Sequence, residues 1–416
     1  MRVLMVSWEY PPVMVGGLGR HVHALAEALA RRGDEVTVLA RSDGTAVPAE
    51  EVVGGVRVVR VPPDPVLLRF EDDLLAWTLA LNHALTRAGL RVAAEEPPDV
   101  VHAHDWLVAH AASTLTSHLG VPLVATVHAT EAGRHQGWLP EPLNRSIHSV
   151  EWWLTTQAHR VITCSASMRW EVSRLFEVPA DRVDVVANGI DVARWCTTPE
   201  QVAAARARWA PDGPLVSYTG RLVYEKGVRH LLAAVPRLRR RHPALRVVVA
   251  GTGPEEAALK EQSRALRLGR AVRFAGFVPD ADLAALVAAS DCAVVPSVYE
   301  PFGLVALEAA AAGTPAVVSD VGGLREIVPH RRTGLRVPPG DPAALAEAVD
   351  ELVRDEVLGR RLVNQARAAL EQDHAWSAVA ERTAEVYRRA ALSRAQTGRT
   401  VPRPPAWEGN LLLGAP

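Results

Sequence analysis

The chain has 416 residues, of which 48% are hydrophobic and 22% are charged. This length exceeds the roughly 250–300 residues at which one hydrophobic core stops growing, so two domains are expected. The composition is that of a globular protein and excludes disordered, collagenous and coiled-coil chains. A net charge of −1 excludes a chain-wide affinity for nucleic acid or for an anionic membrane.

The charge is divided unevenly along the chain. Residues 1–190 carry 16 basic and 22 acidic side chains, whereas residues 191–416 carry 30 and 25. An anionic ligand is therefore expected in the second half. The three cysteines, at positions 164, 196 and 292, are too few for a disulfide framework or a zinc site. Neither a signal peptide nor an uncharged apolar run of about 18 residues occurs, which predicts a cytoplasmic protein without integral membrane association.

Short valine-rich segments alternate with Ala/Leu/Arg segments, the pattern of parallel α/β sheets. Strands of the first half are predicted at Arg2–Ser7, Glu35–Ala40, Val56–Val61, Val100–Ala103, Leu123–Val127, Arg160–Thr163 and Val183–Val186. Helices are predicted between them at Gly19–Arg32, Asp73–Arg87 and Trp106–Leu119. Strands of the second half are predicted at Leu215–Thr219, Arg246–Gly251, Val272–Ala275, Cys292–Pro296, Ala316–Ser319 and Gly334–Val337.

These elements predict two doubly wound sheets in sequence, with the change of sheet near Asn188–Pro199. The segment Asp341–Ala390 is predicted to be helical, because Asp341-Pro342 is a typical N-cap followed by a first helical residue. The last residues, Thr400–Pro416, are rich in Pro and Gly and predict a flexible tail.

Glu300 and Glu308 flank the predicted start of a helix near Phe302. The free N–H groups of Phe302, Gly303 and Leu304 would point out of this helix at the C-terminal edge of the sheet, where α/β proteins bind phosphates. Glu308 lies in an otherwise apolar run, so it is expected to be buried beside a partner. Alternatively, Glu300 only complements the helix dipole and Glu308 is a solvated helix residue.

Arg221 and Lys226 follow the predicted strand Leu215–Thr219 and are suited to clamping a diphosphate. Only two of the 46 basic residues are lysines, Lys226 and Lys260, so a lysine in this loop is unlikely to arise from composition alone. The alternative is a surface loop with incidental charge.

Two glycine-rich loops follow predicted strands. Gly16 and Gly17 precede the first helix and allow a phosphate to approach the backbone closely. Gly253 belongs to a Gly-Thr-Gly turn that has Glu256 where a dinucleotide fingerprint needs its third glycine. A nicotinamide-dependent oxidoreductase is therefore disfavoured, and the first of the two loops could simply be a helix entry.

Histidines stand at predicted strand ends, in His102-Ala-His104-Asp105 and at His128. The first group could be half of a metal site, but no further ligand cluster lies near it in sequence, so no bound metal is predicted. Hydrogen-bonding roles are favoured instead. The polar tract His128–Trp138 indicates a binding loop, with a plain surface loop as the alternative.

Two further charged groups are interpreted as structural. Asp280 and Asp282 resemble a paired-aspartate metal motif, but they open a helix and predict capping. The cluster of Arg237 and Arg239–Arg241 ends a helix and is expected to complement its dipole on the solvent side.

The motifs together resemble the retaining glycosyltransferases of the GT-B fold, closest to family four and its glycogen-synthase-like members. In chain order they are Gly-Gly-x-Gly, His-x-His-Asp, Val-His, Asn-Gly-Ile-Asp, Gly-Arg-x4-Lys-Gly, Gly-Thr-Gly-Pro-Glu and Glu-Pro-Phe-Gly-x4-Glu. The resemblance spans residue 1 to about 390. It implies an acceptor domain at 1–195, a nucleotide-sugar domain at 196–375, a helix at 376–395 that crosses back, and a tail at 396–416.

The resemblance also implies roles for individual residues. Arg221 and Lys226 would hold the donor diphosphate, Glu308 the ribose, and Glu300 and His128 the transferred sugar, with His128, Glu300, Arg221 and Lys226 as the catalytic set. The other donor-binding residues implied are Gly16, Gly17, Gly253, Phe302, Gly303 and Leu304, and the acceptor-side residues are His104, Asp105 and Glu131.

The function implied is transfer of a hexose, most simply glucose from UDP- or ADP-glucose, to a glycan acceptor, with no metal or other cofactor. Bacterial glycogen synthases carry a lysine where this chain has Met14, which weakens the case for ADP-glucose. The alternatives are a mannosyl- or other hexosyltransferase acting on a lipid or small glycoside, a nucleotide-sugar epimerase, and a non-catalytic sugar-binding protein. The donor nucleotide, the acceptor, the linkage and the oligomeric state stay open.

Overall fold

The computed structural model describes residues 1–397 apart from 15, 45–47 and 63–67. Within these residues the chain forms two sheets, one of eight strands and one of six. Residues 396 and 397 end the last helix, and the rest of the predicted tail lies outside the described residues.

The first sheet is built from the first half of the chain. Its strands are β1 (Arg2–Val6), β2 (Glu35–Arg41), β3 (Glu50–Val53), β4 (Val56–Val61), β5 (Val100–His104), β6 (Leu123–Val127), β7 (Arg160–Thr163) and β8 (Val183–Val185). Its helices are α1 (Gly17–Arg32), α2 (Leu74–Glu95), α3 (Ala109–Leu119), α4 (Glu131–Arg134), α5 (Pro142–Gln157) and α6 (Ala166–Phe176).

The strand order of this sheet is β3-β4-β2-β1-β5-β6-β7-β8, and every pairing is parallel except that of β3 with β4. Buried valines align across the centre, with Val3 of β1 opposite Val36 of β2 and Val100 of β5. The edge strand β3 was not predicted, because Val52 and Val53 are exposed and its sequence lacks alternation.

The second sheet and its helices follow residue 198. The strands are β9 (Leu215–Thr219), β10 (Arg246–Ala250), β11 (Val272–Gly276), β12 (Cys292–Val295), β13 (Ala316–Ser319) and β14 (Leu335–Val337). The helices are α7 (Pro199–Trp209), α8 (Val228–Arg241), α9 (Glu256–Ala265), α10 (Asp280–Ala288), α11 (Leu304–Ala312), α12 (Leu324–Ile327), α13 (Pro342–Arg354), α14 (Glu356–Asp373) and α15 (Trp376–Thr397).

This sheet has the order β11-β10-β9-β12-β13-β14 and is parallel throughout. The segment predicted as helical after Asp341 consists of three helices. Asp341 caps α13 as predicted, and Asp355 begins α14 by accepting a hydrogen bond from the Leu358 amide at 2.8 Å. The arginine cluster ends α8, where Arg237 and Arg241 also pair with Glu347 of α13.

The last helix, α15, packs against the first sheet although it follows the second in sequence. Its residues Val379, Ala384 and Tyr387 are fully buried in one core cluster with residues of β1 and α1. The Tyr387 hydroxyl lies 2.8 Å from Nδ1 of His102 on β5. The chain therefore returns to its first half after completing the second sheet.

The C-terminal edges of the two sheets face each other. Ser165, which caps α6, donates a hydrogen bond to the Pro301 carbonyl at 2.8 Å. The next two amides, of Ala166 and Ser167, donate to the Glu326 carboxylate at 2.9 and 2.8 Å. These contacts join the loop after β12 and helix α12 of the second half to the start of α6 in the first.

Candidate active site between the two sheets

Each sheet has a point at which the strand order reverses, and the predicted site residues gather at these two points. In the first sheet β1 lies between β2 and β5, and in the second β9 lies between β10 and β12. Ligands of doubly wound proteins bind in the crevice that such a reversal opens at the carboxyl ends of the strands. The crevices here are lined by the loops after β1, β5, β9 and β12.

Lys226 and Glu300 form an ion pair at the crevice of the second sheet. The Lys226 ammonium lies 2.8 Å from Oε2 of Glu300, and the Ser297 hydroxyl donates to the same oxygen at 3.0 Å. Glu300 is buried, with 7% exposure. Gly227 has a φ of +65°, and a Cβ there would lie 2.0 Å from the Pro296 carbonyl, so only glycine lets the two loops approach this closely.

Arg221 points into the same crevice and has only one weak charge partner in its loop. Its guanidinium lies 3.8 Å from Glu225, which also lies 3.9 Å from Arg134 of α4. Burial and the nearby Arg134 lower the pKa of Arg221, while Glu225 opposes the shift. Two guanidinium groups, one from each half of the chain, thus share one carboxylate and can take up more negative charge.

The N-termini of α1 and α11, the helices that follow β1 and β12, lie next to each other. Helix α11 begins at Leu304, two residues later than predicted, because Gly303 before it has a φ of +107°. A Cβ on Gly17, the first residue of α1, would lie 3.3 Å from the Leu304 side chain. Gly16 has open space around it, and its amide donates to Glu9 at 3.0 Å. Both helix starts therefore present positive dipole ends to the space between the sheets.

Glu308 lies one turn into α11 and pairs with Arg20 of α1 across the cleft. The Arg20 guanidinium is 3.6 Å from Glu308 and 3.3 Å from Asp280. Burial raises the pKa of Glu308, and Arg20 and Arg194 partly offset that rise. The Glu308 side chain is partly buried, with 15% exposure, and it has the expected partner, which the other half of the chain supplies.

The capping role predicted for the aspartates of α10 is wrong. The helix begins at Asp280 after Pro279, and no side chain caps it. The Asp280 carboxylate instead contacts Arg20 and Arg194, and Asp282 lies 3.9 Å from Arg208. The two guanidinium groups compete successfully with the helix amides for the Asp280 oxygens because charged donors form the stronger hydrogen bonds.

Three imidazoles meet at the crevice of the first sheet, and we call His21, His104 and His128 the histidine cluster. The ring centroids of His21 and His128 are 4.8 Å apart, and Nδ1 of His104 lies 3.2 Å from Nε2 of His128. Burial lowers the pKa of His128 to about 4 and those of His21 and His104 well below their usual value. All three rings are therefore neutral at physiological pH.

Asp105 holds the backbone of the histidine cluster in place. Its φ is +62°, uncommon outside glycine, and its carboxylate accepts a hydrogen bond from the His128 amide at 2.7 Å. Burial raises the pKa of Asp105 to about 6. The structure thus brings Asp105, His104 and His128 together, because β5 and β6 are neighbouring parallel strands.

Two predicted site residues, Glu131 and Gly253, make contacts within the protein itself. Glu131 accepts from Asn144 at 2.6 Å, and its own amide donates to Glu151. Gly253 packs on the loop after β9, because a Cβ there would lie 2.4 Å from the Leu222 carbonyl. Both positions explain the fold of a loop without requiring a bound ligand.

Three residues of the cleft were not identified from the sequence: His21, Arg20 and Arg134. The first two lie on α1, where a helical face pattern does not distinguish a cleft residue from a surface or core residue. Arg134 lies in the polar tract after β6, and its charge in that tract was the available signal. Burial would lower the pKa of Arg134, but Asp105, Tyr299 and Glu225 outweigh it and raise the pKa.

Comparison with known proteins identifies the family. Residues 15–194 match the family described as Glycosyltransferase Family 4, and residues 201–369 match the family described as Glycosyl transferases group 1. The chain belongs to glycosyltransferase family 4, and it is an enzyme that transfers glycosyl groups. The two parallel-sheet domains that face one cleft are the GT-B fold that the sequence predicted.

Particular relatives are similar over nearly the whole chain. A glycogen synthase of Mycobacterium tuberculosis H37Rv is 49% identical over 93% of this chain and 94% of its own length. An alpha-maltose-1-phosphate synthase of Mycolicibacterium smegmatis is 34% identical over 94% of this chain and 100% of its own length. Among solved structures, a sucrose-phosphate synthase from Thermosynechococcus elongatus has a TM-score of 0.80 at 26% identity, covering 93% of this chain and 98% of that one.

Within the part of the chain that the structure describes, no helix is both long enough and apolar enough to span a membrane.

Proposed function

We propose that the enzyme is a cytoplasmic, metal-independent retaining hexosyltransferase that transfers glucose from UDP- or ADP-glucose to an α-glucan. The observation that carries this proposal is the Lys226–Glu300 pair at 2.8 Å, placed at the crevice of the second sheet. The pair lies on the other side of the cleft from the histidine cluster. The proposal is also supported by the 49% identity of the chain to a glycogen synthase.

The crevice of the second sheet has the charge distribution that a nucleotide-sugar donor requires. Arg221 and Lys226 are placed to hold the diphosphate, with the amides at the starts of α1 and α11, including those of Gly17 and Leu304, beside them. Glu308 is placed to accept hydrogen bonds from ribose hydroxyls once Arg20 gives up its 3.6 Å contact. Glu300, with Phe302 and Gly303 next to it, would then bind hydroxyls of the transferred sugar.

The chemistry follows from this distribution of charge. The bond between C1 of glucose and the diphosphate oxygen breaks while C1 bonds to an acceptor hydroxyl on the same face, and the acceptor proton passes to the leaving diphosphate. Negative charge grows on the leaving group, so preorganised cations and helix N-termini stabilise the transition state. Arg221 and Lys226 supply this charge in place of a metal ion.

The histidine edge of the first sheet would contact the sugar and the acceptor. Neutral His128, held by Asp105 at 2.7 Å, can donate or accept one hydrogen bond to a sugar hydroxyl without placing a second charge at the reacting carbon. His104, which is fully buried, would support His128 rather than contact the substrate. Glu131 would act mainly by ordering α4.

A small phosphorylated acceptor is the second candidate. It is favoured by Arg134, a guanidinium on the first-half side of the cleft that lies 3.9 Å from Glu225 and is suited to binding a phosphate. A relative 34% identical is an alpha-maltose-1-phosphate synthase, and glucosyl transfer to glucose 1-phosphate would form such a product. Transfer to a lipid or another glycoside is the remaining alternative.

The test is nucleoside diphosphate release from UDP-glucose, ADP-glucose, GDP-mannose and UDP-N-acetylglucosamine. Each donor is supplied alone, with maltooligosaccharide or glycogen, and with glucose 1-phosphate. We expect release from one glucose donor to rise with α-glucan. Release that rises only with glucose 1-phosphate would select the second candidate, and acceptor-independent turnover to an isomerised donor would show an epimerase instead.

A further inference from the structure

The histidine cluster has the ligand chemistry of a transition-metal site. One ring nitrogen each of His21, His104 and His128 lies within 4.8 Å of the others. A tetrahedral zinc site with Zn–N bonds of about 2.0–2.1 Å holds its nitrogens about 3.3 Å apart. Nδ1 of His104 and Nε2 of His128 already approach to 3.2 Å, close to the separation of two ligands of one zinc ion.

Two of these rings carry nitrogens that nothing in the described structure satisfies. Nδ1 of His21 and Nε2 of His104 are buried without a hydrogen-bond partner, and the two residues are only 5% and 0% exposed. His104 thus has one nitrogen, Nδ1, that faces His128 and a second, Nε2, that has no partner. A buried polar atom left unpaired costs about 1–3 kcal/mol. By contrast, His102 on the same strand bonds through both nitrogens, to Tyr387 and Thr126.

The cluster can be reached from one side, because His128 is partly exposed. Three imidazole ligands suit Zn²⁺ and similar ions, whereas Mg²⁺ prefers oxygen ligands.

We propose that the histidine cluster binds one Zn²⁺ ion and that this binding inhibits glycosyl transfer. Metal binding follows from the positions of the three rings alone. Inhibition rests on the proposed function, in which His128 contacts the transferred sugar, because a metal-bound nitrogen can no longer make that contact. Zn²⁺ is thus an inhibitor of a reaction that itself needs no metal, and Mg²⁺ leaves the rate unchanged.

Binding is measured by calorimetric titration of the metal-free full chain with Zn²⁺. We expect one ion per chain, and a loss of affinity of at least roughly tenfold in His21→Gln, which removes one ligand. Two matched controls are His83→Gln, on an exposed position of α2, and Cys196→Ser, which removes the exposed thiol. Both are expected to bind Zn²⁺ like the unaltered chain. Equal binding by His21→Gln, or no binding by the unaltered chain, would overturn the site.

A spectroscopic measurement covers the case in which His21→Gln does not fold. Co²⁺ added to the unaltered chain should give the visible absorption of a nitrogen-coordinated ion, and Zn²⁺ should abolish it while Mg²⁺ does not. A spectrum identical to that of Co²⁺ in buffer would overturn the site without any variant.

Inhibition is measured as the rate of nucleoside diphosphate release against Zn²⁺ concentration. The Zn²⁺ concentration that halves the rate should match the dissociation constant from calorimetry. In His21→Gln, with the rate expressed relative to the metal-free rate of that variant, this concentration should rise at least roughly tenfold. Binding without inhibition would overturn the inhibitory part. If no donor gives turnover, the proposed function fails, and calorimetry still decides whether the site exists.

Discussion

The two crevices are built from the same α/β architecture but carry opposite kinds of chemistry. At the first sheet the polar side chains are neutral imidazoles, buried and packed ring against ring. At the second sheet they are ions, with Lys226 paired to Glu300 and Arg221 near Glu225. The imidazoles of the first edge can form uncharged hydrogen bonds to hydroxyl groups, whereas the ions of the second edge can stabilise a developing charge.

This difference explains why one reaction needs both halves. A leaving diphosphate requires fixed positive charge, but a cation beside the reacting carbon would oppose the positive charge that develops there as the bond to the leaving group breaks. The fold keeps the two requirements on separate sheets and joins them through cross-cleft contacts such as Arg20–Glu308 at 3.6 Å. Substitutions at the ionic edge should therefore affect turnover most.

The largest effect is expected from Lys226→Ala. It removes a charge that faces the leaving group and leaves the buried Glu300 without its cation, so kcat should fall roughly 10²–10³-fold. The matched control is Lys260→Ala, which removes the chain's other lysine from a surface pair with Glu256 and should leave kcat unchanged. Similar losses in both variants, measured by steady-state kinetics, would contradict the role of the ionic edge.

Glu308→Gln should weaken donor binding more than it slows the chemical step. The amide keeps the size of the side chain but loses the charge that binds ribose hydroxyls, which corresponds to about 1.5–3 kcal/mol for hydrogen bonds to a charged group. The KM for the donor should rise roughly 10- to 100-fold, with kcat changed much less. An unchanged donor KM would remove Glu308 from the site.

The histidine edge should make the fold sensitive to acid. His21, His102, His104 and His128 have pKa values lowered by burial, so the unfolded chain binds more protons below about pH 6.5. Stability should then fall as pH falls toward 4, by up to about 1.4 kcal/mol per pH unit for each histidine. Asp105, with a pKa raised to about 6, opposes this between about pH 6 and 3.8.

Denaturant unfolding at pH 7.5, 6.5 and 5 measures this acid sensitivity. The expected result is lower stability at pH 5 and a shallower pH dependence in His128→Gln, which lacks one of the titrating rings. A pH dependence as steep in His128→Gln as in the unaltered chain would show that the His128 imidazole is not buried in its neutral form.

The smallest effect is expected at a contact between the two edges. The Tyr299 hydroxyl donates to Glu171 of α6 at 2.9 Å and accepts from the Thr130 amide at 3.3 Å. Tyr299→Phe keeps the ring against Gly133 but removes these bonds, so kcat/KM should fall a few-fold and stability by about 1–2 kcal/mol. A loss as large as that of Lys226→Ala would make Tyr299 part of the chemistry rather than of domain contact.

Most strands and their division into two successive sheets could be predicted from the sequence, because buried parallel strands are continuous runs of valine and alanine. Leu123–Val127, Leu215–Thr219 and Ala316–Ser319 were predicted to the residue. The ionic edge was also predictable, since Arg221, Lys226 and Glu300 each follow such a strand directly. Residues placed by the ends of parallel strands are brought together by the sheet itself.

What could not be predicted depends on contacts between distant segments. Arg20 and His21 occupy a helix whose rotation is set by packing against the first sheet, and their partners lie at Glu308, His104 and His128. Asp280 shows the same limit, because local sequence favours a cap and only the fold brings Arg20 and Arg194 to it. The roles proposed for the individual site residues remain predictions that the substitutions above test.

The central claim is that the two edges together transfer glucose to an α-glucan with retention. The most direct measurement is a nuclear magnetic resonance time course of maltooligosaccharide with UDP-glucose or ADP-glucose, which reports the anomeric configuration of each new linkage. We predict new α-linked glucose units, formed in step with nucleoside diphosphate and absent in Lys226→Ala. New β linkages, or diphosphate release with no extension of the glucan, would contradict the account.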